Sequence, residues 1–300
     1  MPMVTMTPLA ALLATLLQAQ QPAAPAEARP ALAALAKPPA TNAFAVEVNP
    51  VAVPVPGHPG QAAMFIRLGG GALESNGNPK TGMFSAGAVI ALRVLDATGR
   101  PVYERTEVRP IHGLMSDAKE TLAKPLESRQ FLELAPGTYR VQVAAYDQVA
   151  KQSSVVTVTY EAPAQTPPIV DSLMIVDHAE RLPADRPDDS ADPFVVSGVL
   201  LHPAYDAGVN RMVQPALNFI LPLVLAPGAK APDATLSLLE KGSTIASVPL
   251  ALGTADETGK FIAVGRVPLD KVPAGTYQLQ ITVGSGAGAP SRAAPLTVVQ

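Results

Sequence analysis

The stretch Leu134-Ala-Pro-Gly-Thr-Tyr-Arg-Val-Gln-Val-Ala-Ala-Tyr-Asp147 decides how this chain folds. Its Pro-Gly pair predicts a turn, after which polar residues alternate with Tyr139, Val141 and Val143. A period of two is typical of a strand that buries one face in a core. A tyrosine placed two residues after such a turn is also typical of the tyrosine corner of immunoglobulin-like sandwiches, where the hydroxyl bonds nearby backbone.

The same pattern returns near the C-terminus as Pro273-Ala-Gly-Thr-Tyr-Gln-Leu-Gln-Ile281, with Tyr277 in the place of Tyr139. Turn residues at Asp96-Ala-Thr-Gly99 and at Lys241-Gly242 predict a hairpin ahead of each copy. Each copy lies late in its half of the chain, which indicates a duplicated unit. We therefore predict an all-β fold of two tandem antiparallel immunoglobulin-like β-sandwiches, preceded by a short N-terminal helix or signal segment.

The predicted organisation follows shifts in composition. A signal-like apolar segment and an Ala/Pro-rich linker come first, then a sandwich, a stiff proline-rich linker and a second sandwich, with bounds 1–41, 42–161, 162–168 and 169–300. Within the first unit we expect a helical turn at residues 31–36. Residues 116–124 predict one or two further turns, because Asp117 can cap a helix and Glu120 takes the capping-box position.

Composition excludes several classes of function. The net charge of −3 with interspersed signs gives no basic face, so we expect no nucleic-acid partner. Aromatic residues make up 4% of the chain and tryptophan is absent, which argues against stacking platforms for sugars or bases. The chain has no cysteine, which excludes disulfides and thiolate chemistry.

The N-terminus is the main indication of location. The apolar run at residues 9–17 is too short to span a bilayer and resembles the apolar core of a secretory signal, with Ala24-Pro-Ala26 as a cleavage site. Residues 1–8 carry no Lys or Arg, so the alternative is a short amphipathic helix at the start of a fragment. We predict a secreted, periplasmic or cell-surface protein without a membrane span.

The most site-like segment is the acidic stretch at residues 171–192. This segment holds Asp177, His178, Glu180, Asp185, Asp188, Asp189 and Asp192, and its carboxylates are hard oxygen ligands that suit Ca²⁺. Their spacing fits no known calcium loop, and prolines in the segment favour a solvated connection instead. We assign no metal ligand from it.

Other candidate motifs fail on spacing or context. The four histidines, His58, His112, His178 and His202, show no paired zinc spacing. A nucleophile elbow is absent. The glycines of residues 69–80 lack the order of a phosphate loop and mark a mobile connection, and residues 284–288 lie between strands as a turn. Residues 221–225 indicate core, or a pairing edge if exposed. We predict no catalytic residue and no cofactor.

Residues 43–225 resemble the C-terminal part of the von Willebrand factor A-related secreted proteins of acidobacteria, and the second sandwich matches only loosely. Four stretches carry the resemblance, and they are residues 92–101, 132–147, 153–158 and 194–201. The metal site of the A domain itself needs Asp-x-Ser-x-Ser, and the nearest string here, Asp188-Asp-Ser-Ala-Asp192, departs from it. The resemblance therefore implies a secreted accessory sandwich pair and no metal-dependent adhesion.

These observations lead to two expectations about function. The first is a non-enzymatic structural or protein-interaction module that presents loops or an edge strand to an unknown protein partner. The alternative is a calcium-assisted carbohydrate-binding or enzyme-accessory module, which the absence of tryptophan disfavours. An enzyme would need residues that converge across the fold without any local motif.

Overall fold

A computed structural model describes residues 25–53, 58, 60–163, 169–170, 172–183, 194–196, 198–204, 208–226, 228–230, 232–254, 259–286 and 289–299. Residues 1–24, with the predicted signal segment, and 164–168, most of the predicted linker, lie outside this description. So do Asp185, Asp188, Asp189 and Asp192 of the acidic stretch.

The N-terminal half holds two helices and eight strands. Helix α1 spans Arg29–Ala36 and follows a 3-10 turn at Ala26–Ala28. Helix α2 spans Ala118–Ala123. The strands are β1 (Val46–Ala52), β2 (Gln61–Leu68), β3 (Asn76–Asn78), β4 (Met83–Leu95), β5 (Pro101–Leu114), β6 (Leu126–Glu133), β7 (Gly137–Asp147) and β8 (Ser153–Ala162).

The C-terminal half is built from strands alone in its described residues. They are β9 (Ile169–Val170), β10 (Met174–Arg181), β11 (Val195–Val196), β12 (Val199–Pro203), β13 (Gly208–Asn210), β14 (Ala216–Val224), β15 (Ala234–Glu240), β16 (Ser243–Leu250), β17 (Lys260–Pro268), β18 (Gly275–Val283) and β19 (Ser291–Val299). No helix in the described part of the chain has the length and apolar character to cross a membrane.

These strands form four sheets. Sheet 1 has the order β1-β2-β6, and sheet 2 runs β5-β4-β7-β8 with β3 beside the start of β4. Sheet 3 runs β11-β12-β10-β14-β17 with β9 beside the end of β14, and sheet 4 runs β13-β19-β18-β15-β16. The all-β prediction is confirmed.

The two halves of the chain share the same strand order. β1-β2-β6 faces β5-β4-β7-β8 in the first sandwich, and β10-β14-β17 faces β16-β15-β18-β19 in the second. This is the two-sheet order of immunoglobulin-like domains. One pairing departs from the antiparallel prediction, because β13 runs parallel to β19. No strand was predicted at residues 208–210, which are too short to show alternation.

The two predicted tyrosine corners are present. Tyr139 donates its hydroxyl hydrogen bond to the Ala135 carbonyl at 2.9 Å, and Tyr277 donates to the Pro273 carbonyl at 3.0 Å. Both side chains are buried. Each corner therefore fixes to the core the loop that enters its strand, β7 in the first sandwich and β18 in the second.

The predicted hairpins are also present, with turns of different length but a bulge at the same place. Lys241 and Gly242 form the second turn with positive φ angles of 49° and 82°, as a tight hairpin turn requires. Each hairpin contains one bulged residue, Val102 in β5 and Ile245 in β16, where the register shifts. The duplication therefore extends to the position of a β-bulge.

The four sheets and α1 form a stack of five layers. Helix α1 packs on the outer face of sheet 2, and sheet 2 packs on sheet 1. The outer face of sheet 1 packs on the outer face of sheet 3, whose inner face packs on sheet 4. The two sandwiches are thus joined face to face by an apolar layer.

Helix α2 forms where predicted, but its predicted cap was wrong. Asp117 makes no side-chain capping bond to the helix; its carboxylate accepts a hydrogen bond from the Ser116 hydroxyl at 2.7 Å. The helix is held instead at its C-terminal end, where Gly71 N–H donates to the Leu122 carbonyl at 2.7 Å. The glycines predicted to mark a mobile connection therefore anchor this helix.

We expect Tyr139→Phe and Tyr277→Phe each to lower the free energy of unfolding by about 1 kcal/mol, because each loses one buried hydrogen bond. Urea denaturation of the single and double variants measures this, and the two losses should add because the sites lie in separate sandwiches. Tyr103→Phe is the control, since its hydroxyl makes no hydrogen bond within the described residues. Equal stability of all three variants would contradict the corner assignment.

We expect Gly70→Ala to destabilise the protein by about 1–3 kcal/mol, a typical cost of overpacking. A Cβ atom at Gly70 would overlap the Ala123 carbonyl oxygen at the end of α2. Gly69→Ala is the matched control, because its Cβ would lie 4.0 Å from the nearest atom, the Ala45 Cβ. Urea denaturation should separate the two variants, and equal midpoints would refute the close packing of α2.

Candidate interaction site

The open side of the second sandwich holds a groove of about 360 Å³ between β16 and β17. These strands end their respective sheets within the described part of the chain. Apolar side chains supply most of its lining, notably Leu236, Leu238, Val248, Val267, Val272 and Leu279. Two cations, Arg266 and Lys271, also line it. The groove is therefore an apolar cleft beside positive charge.

Strand β16 makes the groove accessible. Every residue from Ser243 to Pro249 is exposed, including Ile245 at 50% and Val248 at 52%. Residues 242–254 carry no charged side chain, although charge is a usual protection for an edge strand. Two other features protect this edge from pairing with another strand. The bulge at Ile245 interrupts the register, and Pro249 has no N–H to donate. We infer that β16 offers side chains for recognition more readily than a backbone edge.

The corresponding side of the first sandwich holds a smaller pocket, of about 190 Å³, which is lined by Ile111 of β5, Leu122 of α2 and Leu126 of β6. There the Ser128 hydroxyl donates to the Glu107 carboxylate, joining β5 to β6. Arg109 donates to the Glu127 carbonyl at 3.2 Å, and Leu122 of α2 packs against the core. Only the second sandwich therefore presents a large apolar cleft between these strands among the described residues.

A further pocket lies where the two sandwiches meet. It measures about 190 Å³ and is bounded by Pro50 and Val51 of β1, Met174 of β10 and Pro295 of β19. None of its described lining residues has an ionisable side chain. The pocket therefore offers no acid–base chemistry.

Two of the four histidines lie side by side near the interface between the sandwiches. His178 of β10 and His202 of β12 pair across the strands, and their rings stack with centroids 4.0 Å apart. His178 Nδ1 lies 2.9 Å from Asp177 Oδ2, and His202 Nε2 lies 3.4 Å from Glu180 Oε2. No motif in the sequence predicts this pair, because the two residues meet only through the register of β10 with β12.

His202 is the histidine most affected by its surroundings. Its side chain is 18% exposed, and burial is the main cause that lowers the pKa of His202. The positive charge of His178 when protonated and that of Arg129 lower this pKa further, whereas Glu180 opposes them. The fold therefore favours neutral His202.

The remaining candidates lie apart from one another. His58 Nδ1 lies 2.7 Å from Glu133 Oε2 at the surface, and His112 is exposed on β5. Residues 221–225, at the end of β14 and just after it, are buried, as the core prediction required. Gly284 and Gly286 have positive φ angles in the predicted turn after β18. Across the described ranges, no three His, Cys, Asp or Glu side chains are grouped to hold a metal ion.

Comparisons with known proteins give little further information. No protein-family model and no curated protein matches the chain. Among solved structures, red sea bream transglutaminase is similar with a TM-score of 0.25 and 10% sequence identity. The match covers 85% of this chain and 31% of that enzyme's chain. A similarity this low carries no argument about function, and the sequence resemblance to von Willebrand factor A-related proteins remains a prediction.

We expect the protein to lose stability between pH 7.5 and pH 5.5, with His202 as one cause. Since the folded-state pKa of His202 is lowered, the unfolded chain binds a proton more readily as the pH falls through about 6.5. Thermal melts should show a smaller acid-induced decrease for His202→Asn than for the parent chain. His112→Asn is the control, and an unchanged pH dependence for His202→Asn would contradict this assignment.

Proposed function

We propose that this chain is a non-enzymatic, exported interaction module in which a rigid pair of sandwiches presents the β16–β17 groove to a protein partner. The observation that carries the proposal is the exposed apolar cleft beside a charge-free strand, with Ile245 and Val248 half exposed. Contiguous exposed apolar surface of this kind is typical of interaction sites. The apolar run of residues 9–17 and the Ala24-Pro-Ala26 motif support export.

The chemistry of the groove favours recognition over catalysis. Its described lining residues include no histidine and no carboxylate. General acid–base catalysis needs a titratable pair within hydrogen-bond reach of a substrate. The groove therefore has the composition of a docking surface, in which apolar contact supplies the affinity and the cations at its side orient the partner.

The stack supports this role because the groove opens between sheets 3 and 4, the two layers farthest from α1. Sheet 4 forms the last layer, and its strand β16 forms one wall of the groove. The apolar contact between sheets 1 and 3 holds the second sandwich against the first. A partner on the groove would thus be held at a fixed distance from whatever the first sandwich contacts.

We expect a random-peptide display library to yield peptides that bind the full chain. Their affinity for the Val248→Asp variant should be at least ten-fold lower than their affinity for the parent chain. The substitution places a charge in the apolar cleft, where binding would leave it desolvated. Met212→Asp is the matched control, because Met212 is 81% exposed and lies outside the groove. Circular dichroism should show that both variants are folded. Selected peptides that bind Val248→Asp and the parent equally would contradict the proposal.

A further inference from the structure

The matching hairpins allow the two sandwiches to be compared residue by residue. In the first, Val94 of β4 pairs with Tyr103 of β5, next to the bulged Val102. In the second, Leu238 of β15 pairs with Ala246 of β16, next to the bulged Ile245. The strand on the other side gives the same correspondence, because Val94 and Leu238 each pair with the residue two places after a corner tyrosine. Tyr103 therefore corresponds to Ala246.

This correspondence explains why the groove exists. Tyr103 is partly buried on β5 and packs against the core of the first sandwich. Ala246 has a single side-chain carbon at the same place, and the groove opens beside it against Leu236, Leu238 and Leu279. The volume of about 360 Å³ is ample for a phenol ring. The second sandwich thus lacks an aromatic side chain that its duplicate supplies from within.

Charge beside the groove specifies the rest of the ligand. Arg266 and Lys271 line one side of it, and its described lining residues include no acidic side chain. An incoming carboxylate next to the aromatic ring would meet these cations, whereas an incoming lysine would meet like charge. The site therefore discriminates by ring and by charge together.

We propose that the β16–β17 groove binds one Tyr or Phe side chain of a protein partner, flanked by Asp or Glu. This inference rests on the proposed function and names the chemistry of its ligand. Aromatic residues are frequent anchors at interfaces because they bury a large area with few rotatable bonds. The partner's ring takes the place that Tyr103 fills in the first sandwich, and its carboxylate lies near Arg266 and Lys271.

Substitution Ala246→Tyr tests the packing half of the proposal. The new ring should fill the groove from within and raise the melting temperature by about 2–4 °C. Ala246→Ser is the control, which leaves the groove open and should not raise the melting temperature. A melting temperature for Ala246→Tyr at or below that of the parent would show that the groove does not accept a ring.

Binding is tested on the full chain with capped tripeptides, by the methyl NMR shifts of Ile245 and Val248. Acetyl-Glu-Tyr-Glu-amide should bind at least five-fold more tightly than the Glu-Leu-Glu and Lys-Tyr-Lys analogues, and Ala246→Tyr should abolish its shifts. Equal binding of the leucine analogue would refute the aromatic anchor, and equal binding of the lysine analogue would refute the charge preference. Absence of shifts up to the solubility limit would refute both.

The peptide library separates this inference from the proposed function. Peptides that depend on Val248 but lack an aromatic residue beside an acidic one would overturn the inference and leave the proposed function intact. Peptides that do not depend on Val248 would overturn the proposed function itself.

Discussion

The apolar contact between the outer faces of sheets 1 and 3 holds the molecule together as a single body. At its centre Phe65 of β2 meets Phe194 edge to face, with ring centroids 5.1 Å apart. The guanidinium of Arg129 lies over both rings, at 6.0 Å and 5.8 Å from their centroids. Burying each large apolar side chain in such a layer stabilises the fold by about 1.5–3 kcal/mol. The contact leaves the three-stranded sheet 1 covered on both faces.

Local patterns in the sequence predicted the parts of the fold that local chemistry determines. The corner tyrosines Tyr139 and Tyr277 were visible because a Pro-Gly or Ala-Gly turn and an alternating strand lie together in a short segment. The hairpin turns were visible for the same reason. The stacking of the sandwiches was not predicted, although its signal was present. Residues 62–66 of β2 are continuously apolar, as in strands buried on both faces, whereas β18 alternates and has one face in water.

The candidate site was harder to predict, because it depends on which strands end their sheets. The charge-free run at residues 242–254 can be read from the sequence, but its exposure follows from sheet order, which the sequence left open. The match of Tyr103 with Ala246 needs the position of both bulges. The stacking of His178 on His202 likewise depends on a strand register, which no spacing between the two residues reveals.

The double burial of sheet 1 has a consequence for biosynthesis. The first sandwich can complete its own core as soon as β8 is made, yet Val51, Ala63 and Phe65 then still lack their cover. That cover arrives with β10 and β14, the latter ending at Val224. A nascent chain paused between these points exposes the apolar outer face of sheet 1, and exposed apolar surface of this kind is what chaperones bind. The order of synthesis thus leaves the first sandwich dependent on the second during the interval in which aggregation is the main hazard.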